Sequence, residues 1–91
     1  MSRMTQIIKR NGQKVDFDRG RIFTAIRKAF LADNLSDTAL VSDLTDQAIR
    51  LAESRRIENE VITVETMQDC VEETLMANGH HKIAKKYILY R

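Results

Sequence analysis

Alternating apolar positions near the N-terminus predict a β-hairpin. Two isoleucines precede the dipeptide Asn11-Gly12, and Val15 and Phe17 follow it at a spacing of two. Residues two apart in a strand share a face, and Asn-Gly is typical of a tight type I′ turn in which both central residues have positive φ. The predicted strands span about residues 6–10 and 13–17.

Apolar residues recur at helical spacing in the rest of the chain. Asp18, then Ser36 or Asp37, and then Thr63 are suited to cap helix starts, and Asn78-Gly79 is suited to end a helix. We predict helices over residues 19–32 and 38–54, between Thr63 and Asn78, and over residues 80–90. A short third strand is also predicted at Val61-Ile62. The fold class is therefore α+β and mostly α: a four-helix bundle covered by a β-hairpin or a small three-stranded sheet.

The composition narrows the class of protein. The chain has 91 residues, of which 43% are hydrophobic and 31% charged, with one cysteine. This length suits one small domain, and a single cysteine excludes both an internal disulfide and a cysteine-rich zinc module. Because no apolar run approaches the roughly 18 residues of a membrane span, we expect a soluble, cytoplasmic domain.

The net charge of +2 conceals an uneven distribution along the chain. Residues 1–28 contain eight Lys or Arg against two acids, whereas residues 29–79 contain three bases against eleven acids. Residues 80–91 contain four bases and no acid. This pattern favours a localised anion site at which the two basic ends meet, although solvated helix faces explain the charges equally well. The acidic centre makes a nucleic-acid surface unfavourable.

The basic residues around the predicted hairpin are the strongest candidates for chemistry. Lys9, Arg10 and Lys14 lie on it, and Arg21 lies in the first turn of the following helix, where free N–H groups favour anions. The cluster fits either a polyphosphate site or a basic edge that prevents strand aggregation. We expect Lys9 and Arg10 to point to opposite faces. Catalysis is the weakest hypothesis, because neither Cys70 nor the acidic residues of the third helix have a suitably spaced partner.

Two stretches of the sequence resemble the ATP-cone domain. The first runs from Ile7 to Asp18 and continues through Arg21-Ile22 to Ala29. The second begins at Val64-Glu65 and ends at Tyr87-Ile88-Leu89-Tyr90-Arg91. Both occur in the family's order, so the resemblance implies an N-terminal tail at residues 1–5 and one ATP-cone domain over residues 6–91.

The resemblance also implies a nucleotide site. Lys9, Arg10 and Arg21 would contact the triphosphate, while Asp18 would hydrogen-bond adenine or start the helix. Val15 stands where the family often carries a glutamate. The full implied set is Ile7, Ile8, Lys9, Arg10, Asn11, Gly12, Lys14, Val15, Phe17, Asp18, Arg21, Ile22, Val64, Gln68, Ile88 and Arg91.

The function implied by the resemblance is regulatory and not catalytic. Domains of this family bind ATP or dATP, with Mg²⁺ held through the phosphates, as allosteric effectors of ribonucleotide reductase. ATP leaves that enzyme active, and dATP promotes an inactive homo- or hetero-oligomer. The expected partners are thus the nucleotide and the rest of a reductase, with no nucleic acid and no membrane. The alternatives are the ATP cone of a nucleotide-responsive repressor, although this chain lacks that protein's zinc-ribbon cysteines, and a helical interaction module without a ligand.

Overall fold

Four helices form the body of the protein, and a two-stranded antiparallel sheet packs against them. The computed structural model describes residues 4–58 and 60–90. In chain order the elements are β1 (Gln6–Ile8), β2 (Lys14–Asp16), α1 (Arg19–Ala32), α2 (Thr38–Arg55), α3 (Val64–Ala77) and α4 (His81–Tyr90). Helix α2 packs against α1 and α3, and α4 packs against α1 and α3. The predicted mostly helical α+β class is confirmed.

The helix ends follow the predicted capping chemistry. The side chain of Asp18 accepts the N–H of Gly20 at the start of α1, and Thr63 accepts that of Thr66 at the start of α3. Asp37 caps α2 by accepting the N–H of Leu40. Gly79 follows α3 with φ +82°, a conformation that only glycine adopts at little cost. These caps satisfy backbone groups that a helix cannot pair internally.

The hairpin turn differs from the predicted two-residue turn. Lys9 N–H donates to the Gln13 carbonyl at 2.9 Å, and Gly12 N–H donates to the Lys9 carbonyl at 2.9 Å. Gly12 alone of the dipeptide has positive φ, at +86°. The Asn11 side chain instead accepts the N–H of Gln13 at 3.0 Å. The connection is therefore a three-residue loop that ends in a left-handed glycine, and the strands end at Ile8 and begin again at Lys14.

The predicted third strand is reduced to a single point of contact. Ile8 N–H donates to the Ile62 carbonyl at 3.0 Å, and Ile8 forms an isolated parallel bridge with Thr63. The α3 helix begins at the next residue, so the chain leaves the extended conformation before a ladder can form. This contact nevertheless ties the hairpin to the start of α3.

The core is one cluster to which every helix contributes. Phe30 from α1, Leu44 from α2, Leu75 from α3 and Ile83 from α4 are among its buried members. Ile7 joins it from the hairpin. Ile7 lies directly opposite Val15 in the sheet, so both side chains project toward the helices from the same face. The hairpin thereby gains the apolar support that a two-stranded sheet lacks on its own.

Candidate functional site

A cleft with two lobes opens between the hairpin, the first three turns of α1 and the N-terminal half of α3, and Tyr87 of α4 also lines it. One lobe has a volume of about 680 Å³ and the other about 710 Å³. The lobes adjoin, because the same six residues line both: Arg10, Asp18, Arg21, Ala25, Gln68 and Tyr87. Together the adjoining lobes are large enough for a ligand of several chemical parts.

The first lobe, called the apolar lobe here, is built mainly from hydrophobic side chains. The paired strands supply Ile7 and Val15, and the helices add Ile22, Val64 and Met67. Phe17 completes this wall, and Lys9, Asn11 and Asp16 lie around it. An apolar enclosure with a few polar groups at its edge suits a flat, weakly polar ring system.

The second lobe, called the polar lobe, lies along one side of α1. Gly20, Thr24 and Lys28 line it in addition to the six shared residues. Three cations therefore face this space (Arg10, Arg21 and Lys28), against the single carboxylate of Asp18, which already accepts the Gly20 N–H at 2.9 Å. The N-terminal end of the α1 dipole adds further positive potential. The polar lobe is suited to an anion.

Arg19 and Arg21 are two residues apart on α1 but serve different surfaces. Arg19 donates to Asp46 Oδ1 at 2.9 Å and to the Ser42 side chain at 2.9 Å, which fixes it against α2. Arg21 lines the cleft. Because successive helix residues turn by about 100°, two positions apart point to nearly opposite sides. Helix geometry therefore places Arg19 in a structural contact with α2 and leaves Arg21 as a candidate binding residue.

The loop geometry brings both hairpin cations to the cleft. Lys9 and Arg10 both line the apolar lobe, contrary to the expectation that they point to opposite faces. That expectation assumed a strand through residue 10, whereas β1 ends at Ile8 and strand alternation does not extend to the loop. Across the cleft, the Arg10 guanidinium Nη2 lies 3.5 Å from Gln68 Oε1 on α3.

The structure brings most of the sequence-predicted site residues together. Eleven of them line the cleft: Ile7, Lys9, Arg10, Asn11, Val15, Phe17, Asp18, Arg21, Ile22, Val64 and Gln68. Among the others, Ile8 and Lys14 face each other in the sheet, on the side opposite Ile7 and Val15. Gly12 and the half-exposed Ile88 also line neither lobe. Arg91 lies outside the described residues.

Seven cleft residues were missing from the sequence-based set: Asp16, Gly20, Thr24, Ala25, Lys28, Met67 and Tyr87. Some of them carried a usable signal. Thr24, Ala25 and Lys28 follow Arg21 at helical spacing, so periodicity could have placed them beside it. No local pattern marks Tyr87, which reaches the cleft only because α4 packs on α1.

The two basic ends of the chain do not meet at the cleft within the described residues. Lys82, Lys85 and Lys86 on α4 line neither lobe. Lys86 instead donates to the Ala32 carbonyl at 3.0 Å and pairs with Asp33 at 3.3 Å, so it caps the C-terminal end of α1. The positive charge of the cleft comes from the N-terminal basic segment.

Outside the cleft, α3 has one ion pair and one buried thiol. Arg55 forms a two-point ion pair with Glu73, and hydrogen bonding to that guanidinium holds the pKa of the Glu73 carboxyl below its usual range. Burial raises the pKa of the Cys70 thiol, which lies in the core. Among the described residues, no group of three or more His, Cys, Asp or Glu side chains could hold a metal ion, and no helix is long and apolar enough to cross a membrane.

Comparison with known proteins identifies the family. The family model described as the ATP cone domain matches residues 5–91. The chain belongs to the ATP-cone family. The resemblance inferred from the sequence motifs is thus confirmed, and the ATP cone covers both lobes of the cleft.

The relatives of this ATP cone include reductases of several kinds. It is 36% identical to the ribonucleoside-diphosphate reductase subunit alpha of Chlamydia trachomatis, over 93% of this chain and 9% of the relative. It is 32% identical to the anaerobic ribonucleoside-triphosphate reductase of Haemophilus influenzae, over 93% of this chain and 12% of the relative. It is 33% identical to the vitamin B12-dependent ribonucleoside-diphosphate reductase of Thermoplasma acidophilum, over 94% of this chain and 11% of the relative. The chain therefore spans only about a tenth of the length of these relatives.

Proposed function

We propose that this ATP cone is an allosteric regulatory domain that binds ATP or dATP in the two-lobed cleft. The observation that carries the proposal is that an apolar lobe and a lobe lined by three cations adjoin and share six lining residues. A nucleotide has the same division, with a flat base at one end and a charged phosphate chain at the other. Membership of the ATP-cone family supports this assignment independently.

In the proposed complex, the base occupies the apolar lobe among Ile7, Phe17 and Ile22. The phosphates lie in the polar lobe, where Arg10 and Arg21 approach them from the hairpin and from α1. Guanidinium groups bind phosphate oxygens through paired, charge-assisted hydrogen bonds. Because both arginines line both lobes, they are placed at the junction where the phosphate chain begins.

Magnesium fits this proposal as part of the ligand. Asp16 and Asp18 are the carboxylates that line the cleft, and Asp18 is already engaged in capping α1. Mg²⁺ commonly uses only one or two carboxylates together with substrate phosphates. We therefore expect the ion to enter on the nucleotide, where it supplies charge neutralisation for adjacent phosphate groups.

We further propose that the domain acts within a cytoplasmic ribonucleotide reductase, with ATP as activator and dATP as inhibitor through oligomerisation. The reductase relatives support this context. ATP and dATP differ by one hydroxyl, and a ligand shifts an equilibrium only through its different affinities for the two states. The opposite effects must therefore arise from assembled states that bind the two nucleotides unequally.

Titration calorimetry of the 91-residue chain with ATP, dATP and adenosine, with Mg²⁺ present, tests the binding proposal. We expect both nucleotides to bind in the micromolar range or tighter, and adenosine to bind more weakly. Absence of heat with either nucleotide, well above micromolar concentration, would contradict nucleotide binding and favour a ligand-free interaction module. Mass measurement during size-exclusion chromatography with ATP and with dATP tests the proposed change of assembly.

A further inference from the structure

The cleft residues of α1 are ordered around the helix, from the side that faces the apolar lobe to the side that faces the polar lobe. Ile22 lines only the apolar lobe, and Arg21 and Ala25 line both. Gly20, Thr24 and Lys28 line only the polar lobe, which therefore extends along α1. Lys28 is thus the cation that lies beyond the junction between the lobes, whereas Arg10 and Arg21 lie at it.

The spacing of these residues matches an extended anion. Arg21 and Lys28 are seven positions apart, which is nearly two full turns, so they lie on the same face about 10 Å apart along the axis. Thr24 lies between them on that face and contributes a hydroxyl that can donate to an oxygen. A phosphate chain that starts at Arg21 and runs along α1 would pass Thr24 and end near Lys28.

The Lys28 ammonium is available for a ligand. It is exposed and forms no ion pair with any described residue. Two other basic residues of the chain show the contrast, since Arg19 is paired with Asp46 and Lys86 with Asp33. Among the described residues, Asp18 supplies the one carboxylate that lines the polar lobe, so little negative charge opposes a phosphate group close to Lys28.

We propose that Lys28 recognises the terminal phosphate of the bound nucleotide and thereby separates nucleoside triphosphates from diphosphates. This inference rests on the proposed function. The two arginines at the junction would hold the phosphates nearest the ribose, which ATP and ADP share. Lys28 would reach only the group that ADP lacks. A lysine suits this place, because its ammonium is a compact point charge on a long flexible chain that can follow a mobile chain end.

The test compares Lys28→Gln with Arg27→Gln in the 91-residue chain. Each substitution removes one exposed positive charge from α1, but Arg27 lines neither lobe. Dissociation constants for ATP, ADP and adenosine are measured by calorimetry at one fixed salt concentration. We expect Lys28→Gln to weaken ATP about tenfold, the scale of one hydrogen bond to a charged group, and to leave ADP within about twofold. Arg27→Gln should leave the ratio of ATP to ADP affinity unchanged.

The other possible results distinguish failure of the Lys28 assignment from failure of the proposed function. Equal weakening of ATP and ADP by Lys28→Gln would overturn the inference, because Lys28 would then act on a phosphate common to both. An unchanged ATP affinity would also overturn it, as would an equal change of the ratio in both variants. If the wild-type chain binds neither ATP nor ADP, the proposed function itself fails. If it binds ATP tightly while the ratio is insensitive to Lys28, only the terminal-phosphate assignment fails.

Discussion

Arg21 and Ile22 are neighbours on α1 that provide a direct test of the two-lobed site. Arg21 lines both lobes, whereas Ile22 lines only the apolar lobe. If phosphates occupy the polar lobe and adenine occupies the apolar lobe, the two alanine variants must differ in their ligand dependence. We expect Arg21→Ala to weaken ATP but not adenosine, and Ile22→Ala to weaken both ligands by the same factor.

The expected magnitudes follow from what each side chain offers a ligand. A hydrogen bond to a charged group contributes about 1.5–3 kcal/mol, and Arg21 is exposed, so the low end applies. That value corresponds to a loss of about tenfold in ATP affinity. Ile22→Ala removes methyl and methylene groups worth about 0.8 kcal/mol each when fully buried. Because Ile22 is half-buried before binding, a loss of about fivefold for each ligand is reasonable.

The assay is titration calorimetry of the wild type and both variants with ATP and with adenosine under identical salt and Mg²⁺. Circular dichroism with urea unfolding establishes that each variant is folded at the assay temperature. The two-lobed site would be refuted if Arg21→Ala weakened adenosine as strongly as ATP, since that residue would then act through the fold. It would equally be refuted if Ile22→Ala weakened ATP alone.

Two further predictions concern the scaffold. Gly12→Ala should lower the free energy of unfolding by about 1 kcal/mol, because Gly12 has a φ of +86°, which disfavours a residue with a Cβ atom. A Cβ atom added there would meet no neighbouring atom within 4 Å, so the cost comes from the backbone and not from a clash. Gly79→Ala, at φ +82° and equally open, should cost a similar amount in urea unfolding, and full stability of both variants would contradict the backbone argument. Because Arg55 lowers the pKa of Glu73 in the folded state, the ion pair stabilises the protein above the unfolded pKa of about 4.3 and loses this effect as the pH falls through the folded value. The stability advantage of the wild type over Glu73→Gln should therefore be present at neutral pH and disappear in acid, which urea unfolding at a series of pH values measures.

The helices of this fold could be predicted from the sequence because the residues that begin and end them lie next to them in the chain. Asp18 and Thr63 each precede an amphipathic segment, and each caps the helix that follows. Gly79 marks the end of α3 in the same way. Such caps depend on hydrogen bonds within a few residues, so knowledge of tertiary packing is unnecessary to find them.

The turn was predicted less accurately, because one dipeptide is compatible with more than one loop. Asn-Gly favours a two-residue turn, but it also fits a three-residue loop in which only the glycine is left-handed. Here the Asn11 side chain accepts the Gln13 N–H at 3.0 Å and supports the longer loop. The difference matters for the candidate site, because β1 is shorter than predicted and Lys9 and Arg10 both line the same cleft.

The distribution of charge illustrates what a sequence count cannot establish. The four bases of residues 80–91 suggested a second basic wall for the ligand. On α4, however, Ile83, Ala84 and Tyr87 are buried, so the surface of the helix that faces the protein is already apolar. Its lysines at positions 82, 85 and 86 must then lie on the remaining surface, and Tyr87 is the one described side chain of this helix that reaches the cleft. Charges along a sequence therefore indicate a binding site only after helical periodicity has assigned each of them to a helix face. On α1, that assignment places Arg21 and Lys28 on the same side.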